Sequence, residues 1–355
     1  MKVFIWTVFV DKLYRNDGNP GGLAIQMSYW AQIFAKKGWK VYSLSEKESK
    51  EYNNISFLKL PNIRYVGIFI EYLLSLYYIL TQRPKVIITR GASRNTFYLS
   101  LWARLVNARL VFFGASNSDF IVGEELIHAE RDRNLYRKGI KRIDYIVAQN
   151  EQQKQLALEN YGEKKCIIIP NIWPANNNDT RDKDIDFLWV SNFRELKRPD
   201  WFIKLAKDNP QYRFTMVGGN ADKVLFEACE KEAAEIPNLE FLGGRPFDEV
   251  NEIFTHARCF VCTSTMEGFP NTFLQAWSNN IPVLSTFAPS DLIQRHNLGI
   301  IVTKYDEMNE NIPQIMDSKN YNEKQKAIKE YFANAHSPEK MYDKLIEMLD
   351  INIVK

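Results

Sequence analysis

Cysteine and histidine are scarce in this chain of 355 residues, which has four of each. The cysteines, Cys166, Cys229, Cys259 and Cys262, are too few and too scattered for a disulfide framework, and each lies in or beside an apolar run. The histidines have no spacing that suits a helical zinc site. We therefore expect a cytoplasmic protein of a reducing compartment, with no metal.

Long hydrophobic runs are also missing. The most apolar later stretch, Val66 to Leu80, is shorter than the ~20 residues of a spanning helix and carries Glu71 near its middle, which favours a buried or interfacial helix. The N-terminal run contains Trp6 and Thr7, and no small-residue cleavage site follows it. We interpret it as a first strand.

Charge is balanced overall, at +3, but unevenly distributed. Residues 1–172 contain 25 Lys and Arg against 15 Asp and Glu, a net +10, whereas the remainder contains 21 against 28, a net −7. Either the asymmetry is chance, or the first half faces lipid headgroups or a phosphorylated acceptor. We expect no nucleic acid partner.

One basic segment stands out within the first half. It runs from residue 131 to 142 and includes Arg133, Arg137, Lys138 and Lys141. A basic helix of this kind contacts lipid headgroups or is simply a solvated face.

Short β-rich apolar runs alternate with helical patterns along the whole chain, which predicts parallel sheets built from βαβ units. The alternation breaks at Pro170 to Asp184, where prolines, asparagines and charges form a linker. The final segment opens with Ser337, Pro338 and Glu339, a good helix start. We expect an α/β protein of two doubly wound, Rossmann-like domains, residues 1–172 with the terminal helix 337–355, and residues 173–336. Ligands of such sheets bind at the carboxyl ends of the strands.

The most informative segment runs from Cys259 to Ser285 and predicts strand, loop, helix and strand. The helix should begin near Pro270, which is tolerated in a first turn. Backbone N–H groups at this helix start would then face a diphosphate without any metal. The residues concerned are Gly268, Phe269, Asn271 and Thr272, together with Pro270, which has no N–H group. Glu267 lies just before the turn, and the amide of Gln275 lies one helical turn beyond Asn271 on the same face.

These residues resemble the signature of retaining GT-B glycosyltransferases of the group 1, family 4-like superfamily. That signature is a Glu-x7-Glu pair around a Glu-Gly-Phe loop, with Glu-Ala and a Pro-Val strand behind it. The resemblance implies that Glu267 contacts the transferring sugar and that Gln275, which replaces the usual second Glu, contacts the donor ribose. Glutamine keeps an acceptor oxygen for a hydroxyl but loses the charge.

A second resemblance lies in Trp189 to Asp200. Similar enzymes clamp the diphosphate with an Arg and a Lys in this loop, and Lys197 matches the Lys. Asn192 stands at the Arg position, while Arg194 lies two residues further on. We expect Arg194 and Lys197 to act jointly on the diphosphate. Taken alone, the loop is better interpreted as a solvated basic surface, and the neighbouring Glu267 segment is what favours the clamp.

Glycine-rich loops follow other strands. The resemblance places Gly21 and Gly22 beside the donor phosphates and the acceptor, because glycine lacks the Cβ that would exclude them. A plain strand-to-helix turn needs glycine as well. In similar enzymes the loops holding Gly218, and Gly244 with Arg245, border the ribose and the base.

The acceptor site is the least determined. Many relatives have a His after the strand that ends at Phe113, where this chain has a polar turn instead. Asn117 and Asp119 are candidates for acceptor contacts. The alternative is an Asx-rich turn that satisfies its own backbone.

The resemblance implies a glycosyltransferase that moves a sugar from a nucleotide diphosphate donor to a lipid-linked or polysaccharide acceptor, with retention and without a cofactor. Its setting would be bacterial cell envelope synthesis at the inner face of the membrane. A nucleotide-sugar epimerase or phosphorylase of the same fold remains open, and so does a catalytically silent nucleotide-sugar binder.

Overall fold

A computed structural model describes residues 1–7, 10–15, 21–60, 67–176, 182–266, 269–288 and 291–351. The chain divides into two compact units. The first unit comprises residues 1–172 and 338–355, and the second comprises residues 173–337.

The first unit is built on an eight-stranded sheet of order β3-β4-β2-β1-β5-β6-β7-β8. All pairs are parallel except β3 with β4. Its elements are β1 (Lys2–Trp6), α1 (Val10–Arg15), α2 (Gly22–Lys36), β2 (Lys40–Ser45), β3 (Lys50–Tyr52), β4 (Ile55–Lys59), α3 (Gly67–Gln82), β5 (Val86–Arg90), α4 (Asn95–Leu105), β6 (Arg109–Phe113), α5 (Glu130–Ile140), β7 (Tyr145–Ala148), α6 (Glu151–Tyr161) and β8 (Lys165–Ile168).

The second unit contains a six-stranded parallel sheet of order β11-β10-β9-β12-β13-β14. Its elements are β9 (Ile185–Val190), α7 (Pro199–Asp208), β10 (Phe214–Val217), α8 (Lys223–Ala233), β11 (Leu239–Gly243), α9 (Phe247–His256), β12 (Ala257–Cys262), α10 (Asn271–Ser278), β13 (Val283–Ser285), α11 (Leu292–Arg295), β14 (Gly299–Ile301), α12 (Tyr305–Glu310), α13 (Ile312–Met316) and α14 (Ser318–Ala335).

The central strands are apolar on both faces because helices cover both sides of a parallel sheet. In the first unit Phe4, Ile87 and Phe112 are fully buried. In the second, Phe187 stacks on Phe214 with ring centroids 5.0 Å apart. The strands thus form one hydrophobic core in each unit, and their carboxyl ends remain to carry loops.

The C-terminal helix, α15 (Pro338–Met348), packs on α2 within the first unit. The hydroxyl of Tyr342 accepts a hydrogen bond from Trp39 Nε1 at 2.7 Å, and its ring meets Phe34 edge-on. At the surface Lys36 pairs with Glu339 at 2.7 Å. Buried aromatic contacts therefore hold the end of the chain to its beginning.

The strands predicted from the apolar runs are all present, and the two doubly wound sheets are confirmed. The antiparallel edge strand β3 was not predicted. Its sequence, Lys50-Glu51-Tyr52, is too short and too polar to show a strand pattern. The apolar stretch predicted as a buried or interfacial helix is α3, which buries Ile79 while exposing Leu73, Tyr77 and Leu80.

Candidate active site

In the second sheet the direction in which the strands are added reverses between β9 and β12, and a crevice forms at such a point. Chain connections run outward from β9 through β10 to β11, and in the opposite direction from β12 through β13 to β14. The loops after β9 and β12 therefore leave the sheet side by side at its carboxyl edge. Ligands of open α/β sheets bind at such points.

Hydrogen bonds join these two loops. The Oγ1 hydroxyl of Thr263 donates to the Lys197 carbonyl oxygen at 2.5 Å, and Thr265 N donates to the Leu196 carbonyl oxygen at 2.9 Å. Thr263 is fully buried, and its hydroxyl also accepts from Trp189 Nε1 at 3.0 Å. The basic loop after β9 is thus held against the start of the predicted donor loop.

The two predicted cations, Arg194 and Lys197, are followed in the chain by Arg198, which has a different role. Arg194 is exposed and Lys197 is half-buried in a 3₁₀ turn. Arg198 adopts a left-handed φ of +43°, and its guanidinium lies 3.9 Å above the Trp201 ring. Arg198 is therefore fixed as a structural residue, while Arg194 extends towards solvent.

Glycines of the next two loops allow close backbone packing. A Cβ on Gly218 would lie 1.7 Å from the Ser191 carbonyl oxygen, and one on Gly219 would lie 3.0 Å from Asn192 Oδ1. A Cβ on Gly244 would meet only Gly219 and Gly218 within 4 Å, and Gly244 itself is exposed. The loops after β9, β10 and β11 therefore converge on one edge, and Asn192 lies at their junction.

Helix α10 begins beside them. Pro270 is its N-cap and provides no side-chain cap, because proline has no side-chain acceptor. Phe273 N bonds to the Pro270 carbonyl oxygen at 3.1 Å, while Asn271 and Thr272 form the half-buried first turn. The predicted helix start is confirmed. Glu267 and Gly268 lie outside the described residues.

The side chain of Gln275 is buried too deeply for its amide nitrogen to contact the ribose directly. The side chain is buried, and Nε2 donates to Asn251 Oδ1 of α9 at 2.7 Å. The expected face is correct, since residue 275 follows Asn271 by one turn. The amide nitrogen, however, is committed to a neighbouring helix.

Two further predicted donor residues make contacts within the second unit. The ring of Phe269 packs towards Trp277 and His336, at centroid distances of 6.3 and 5.7 Å. The ring of Phe269 is thus partly packed within the second unit. Arg245 is half-buried, and its Nε lies 4.0 Å from Glu249 Oε2.

In the first unit, Gly21 is the N-cap of α2, and Gly22 begins that helix. Both are exposed. Gly21 has an ordinary φ of −65°, and a Cβ placed on it meets no atom of the described residues within 4 Å. The described fold therefore does not require glycine at this position.

Asp119 lies in an Asx-rich turn, which was the alternative to an acceptor contact. Its carboxylate is buried and accepts backbone N–H groups of Ala92, Ala115 and Ser116 at 3.1, 2.6 and 3.1 Å. Burial raises the pKa of this carboxyl, and the backbone hydrogen bonds oppose the rise. The Asx-rich turn is the correct interpretation, because a carboxylate with three backbone donors has little capacity for a ligand. Asn117 remains half-buried and donates to Gln152 Oε1 at 2.9 Å.

The predicted basic segment is largely α5, and two of its cations are already paired. Arg137 binds the buried Glu125 through two nitrogens, at 2.7 and 3.0 Å, and Arg133 Nε donates to the Ile127 carbonyl oxygen at 2.6 Å. Lys138 and Lys141 are exposed. The charge available to a surface partner is therefore smaller than the sequence suggests.

The described residues lack two features that would bear on function. They contain no cluster of three or more His, Cys, Asp or Glu side chains placed to hold a metal ion. None of their helices combines the length and the apolar character needed to cross a bilayer.

Sequence reasoning missed a group of polar residues in the first unit, around Glu71, Arg94 and Asp132. They lie far apart in sequence and share no motif. The one available signal was their topology, because Arg94 follows the carboxyl end of β5.

Solved structures share this fold. Sucrose-phosphate synthase from Thermosynechococcus elongatus matches with a TM-score of 0.72 and 12% identity, covering 99% of this chain and 98% of that one. The UDP-GlcNAc 2-epimerase from Methanocaldococcus jannaschii matches with a TM-score of 0.66 and 13% identity, covering 98% and 100%. At such identities the likeness shows the fold alone, which is GT-B.

The sequence narrows the class. Residues 174–349 match the family model described as glycosyl transferases group 1, and through this half the chain belongs to that family. Lipopolysaccharide 1,6-galactosyltransferase of Salmonella typhimurium is 30% identical over 141 residues, 37% of this chain and 36% of that relative. The matches span about two-fifths of the length of the first curated relatives, between 36% and 41%.

Proposed function

We propose that this chain transfers a hexosyl group from a nucleotide diphosphate sugar to a saccharide or lipid-linked acceptor, with retention and without metal. The carrying observation is the convergence of the glycine loops after β10 and β11, the basic loop after β9 and the start of α10 at the carboxyl edge of the second sheet. Family membership over the same residues supports this assignment.

The arrangement suits a diphosphate. The uncapped start of α10 presents backbone N–H groups with positive polarisation, and anions bind at such termini. Arg194 and Lys197, on the loop hydrogen-bonded to Thr263 and Thr265, would neutralise the charge that develops on the leaving diphosphate. Gly218 packs against the Ser191 backbone, and the exposed Gly244 would leave room for the nucleoside beside it.

The sugar and the ribose are assigned to the remaining residues. Glu267 would contact the transferring sugar, a role that rests on its position directly before the α10 turn. Gln275 would reach the ribose through Oε1, since its Nε2 is bonded to Asn251.

Peripheral contact with an anionic membrane belongs to the same proposal. The first half of the sequence carries the net charge of +10, and α3 exposes Leu73, Tyr77 and Leu80 at helical spacing. Sedimentation with vesicles of neutral phosphatidylcholine, alone or mixed with phosphatidylglycerol, tests this point. Binding should require the anionic lipid and weaken with salt.

The decisive experiment begins with a thermal-shift screen against nucleoside diphosphates and their sugars. The stabilising nucleotide sugar is then incubated with EDTA, with and without saccharide and lipid-linked acceptors, and products are followed by NMR. A transferase consumes donor only when acceptor is present, and the anomeric coupling of the product reports retention. A new nucleotide sugar without acceptor would instead indicate an epimerase, and binding without turnover a silent binder.

A further inference from the structure

A cavity lies in the first unit, at the carboxyl edge of its sheet. Its volume is about 320 Å³, and it is lined by the beginning of α3, the loop after β5 and the segment that leads into α5. Strand β5 pairs with β1, and the connections run outward from these two strands in opposite directions. The cavity therefore borders the point where an open α/β sheet receives its ligand.

Four polar side chains in this cavity form one connected network. Arg94 Nη1 donates to Asp132 Oδ2 at 3.2 Å, and Arg94 Nε donates to the Tyr72 hydroxyl at 3.1 Å. That hydroxyl donates in turn to Asn95 Oδ1 at 2.5 Å. The network fixes the guanidinium and the phenol ring before any ligand arrives, which lowers the entropy lost on binding.

Glu71 faces the same cavity but stands outside this network. The described part of the chain donates no hydrogen bond to its carboxylate, and the side chain is half-buried. Burial raises the pKa of this carboxyl, while Arg94 opposes the rise. A partly desolvated carboxylate without donors favours a ligand that brings them.

We propose that this cavity binds a neutral sugar residue of the acceptor. The proposal rests on the glycosyl transfer described above and replaces the acceptor contact expected of Asp119. Sugar hydroxyls would donate to Glu71 and to the remaining oxygen of Asp132. The ring of Tyr72, which packs on Tyr98 at 4.6 Å, offers a planar surface for the C–H face of a pyranose.

The charges explain why the sugar is neutral. Two carboxylates, Glu71 and Asp132, meet the single guanidinium of Arg94, which is already paired, and the exposed imidazole of His128 completes the titratable groups of the lining. A phosphate group, or the carboxylate of a uronate, would bring acceptors but no donors and would be repelled by the free carboxylate. A neutral hydroxylated ring satisfies the cavity without adding charge. Any phosphate of a lipid-linked acceptor would therefore lie outside it.

The test uses the full chain and saturation-transfer NMR, with methyl glycosides of glucose, galactose and N-acetylglucosamine as neutral probes and methyl glucuronide as the anionic one. Glu71→Gln removes the charge with almost no change in shape, and Asp132→Asn provides a second variant. Glu124→Gln is the matched control, since Glu124 is exposed and lies in the same segment outside the cavity lining. UDP and the other nucleoside diphosphates are titrated in parallel.

We expect at least one neutral glycoside to bind the wild type in preference to the glucuronide. Glu71→Gln should lower the affinity for that glycoside by about tenfold and reduce its preference over the glucuronide. Glu124→Gln should change neither the affinity nor the preference. Nucleotide affinity should stay constant throughout. Failure of every neutral glycoside to bind, preference for the glucuronide, or indifference to both Glu71→Gln and Asp132→Asn would overturn the proposal. Glycoside binding without any nucleoside diphosphate binding would instead reject the proposed transfer.

Discussion

The Nε–H of Arg198 donates to the carbonyl oxygen of Thr263 at 2.7 Å, so that the helix following β9 begins against the strand end of β12. This bond and the bond from Thr263 Oγ1 to the Lys197 carbonyl oxygen couple the two loops that carry the predicted donor residues. The position of Lys197 is therefore determined by the β12 loop as well as by its own. Displacement of either loop should affect both.

Replacement of Glu267 by Ala tests the sugar contact. We expect kcat to fall by about a hundredfold or more, because an interaction with the charge of the transition state is lost. Affinity for the nucleoside diphosphate should be unchanged, since its contacts come from other residues. Turnover is measured by nucleoside diphosphate release, and binding by calorimetry. Near-normal turnover would reject the role of Glu267.

Lys197→Gln and Arg194→Gln test the diphosphate clamp. Each should lower both affinity for the nucleoside diphosphate and kcat, by about tenfold or more, because a charge-assisted contact is lost. Lys207→Gln is the control, since Lys207 is exposed on α7 and distant in sequence from the loop. If all three variants bind and turn over alike, the basic loop is only a solvated surface.

Gly218→Ala and Gly21→Ala separate two uses of glycine. The first places a methyl group 1.7 Å from the Ser191 carbonyl oxygen, so we expect a loss of about 3 kcal/mol in the free energy of unfolding. The methyl group added by Gly21→Ala meets no described atom, so the melting temperature should be unchanged. Activity should fall, because the site beside Gly21 must admit ligand. Thermal unfolding and turnover of both variants provide the comparison. Full activity of the Gly21→Ala protein would show that Gly21 only starts a helix and does not border a ligand.

Glu125→Gln tests the buried pair with Arg137. Burial raises the pKa of Glu125, but the hydrogen bonds from Arg137 and the backbone outweigh it, and the net pKa lies below its ordinary value of 4.5. The unfolded chain therefore binds the proton more readily. The stabilisation is present above pH 4.5 and is lost as pH falls through the lower, folded pKa.

The variant should be less stable than the wild type by about 2 kcal/mol at neutral pH, and this difference should shrink towards acidic pH. Urea unfolding at several pH values measures it, with Glu124→Gln as the control. A difference that is constant with pH would exclude a titrating Glu125 as its origin.

Local sequence determined all strands of both sheets except β3, and the start of α10. Runs such as Arg109 to Phe113 are apolar enough to be buried on both faces, and a proline such as Pro270 is favoured at the start of a helix. The short polar strand β3 escaped prediction because it exists through pairing with β4. The role of Gln275 escaped for a related reason, since its partner Asn251 lies on α9, whereas the turn around Asp119 was one of two alternatives that the sequence left open.

By itself, then, the amino-acid sequence determined the alternation of strands and helices, the two-sheet organisation and the group 1 glycosyltransferase signature, because each depends on residues close together in the chain. Only the tertiary structure decided that Asp119 serves its own turn, that Gln275 bonds to α9, and that Glu71, Arg94 and Asp132 meet in one cavity. Those facts depend on which segments the fold brings within hydrogen-bond distance, and spacing along the chain does not contain that information.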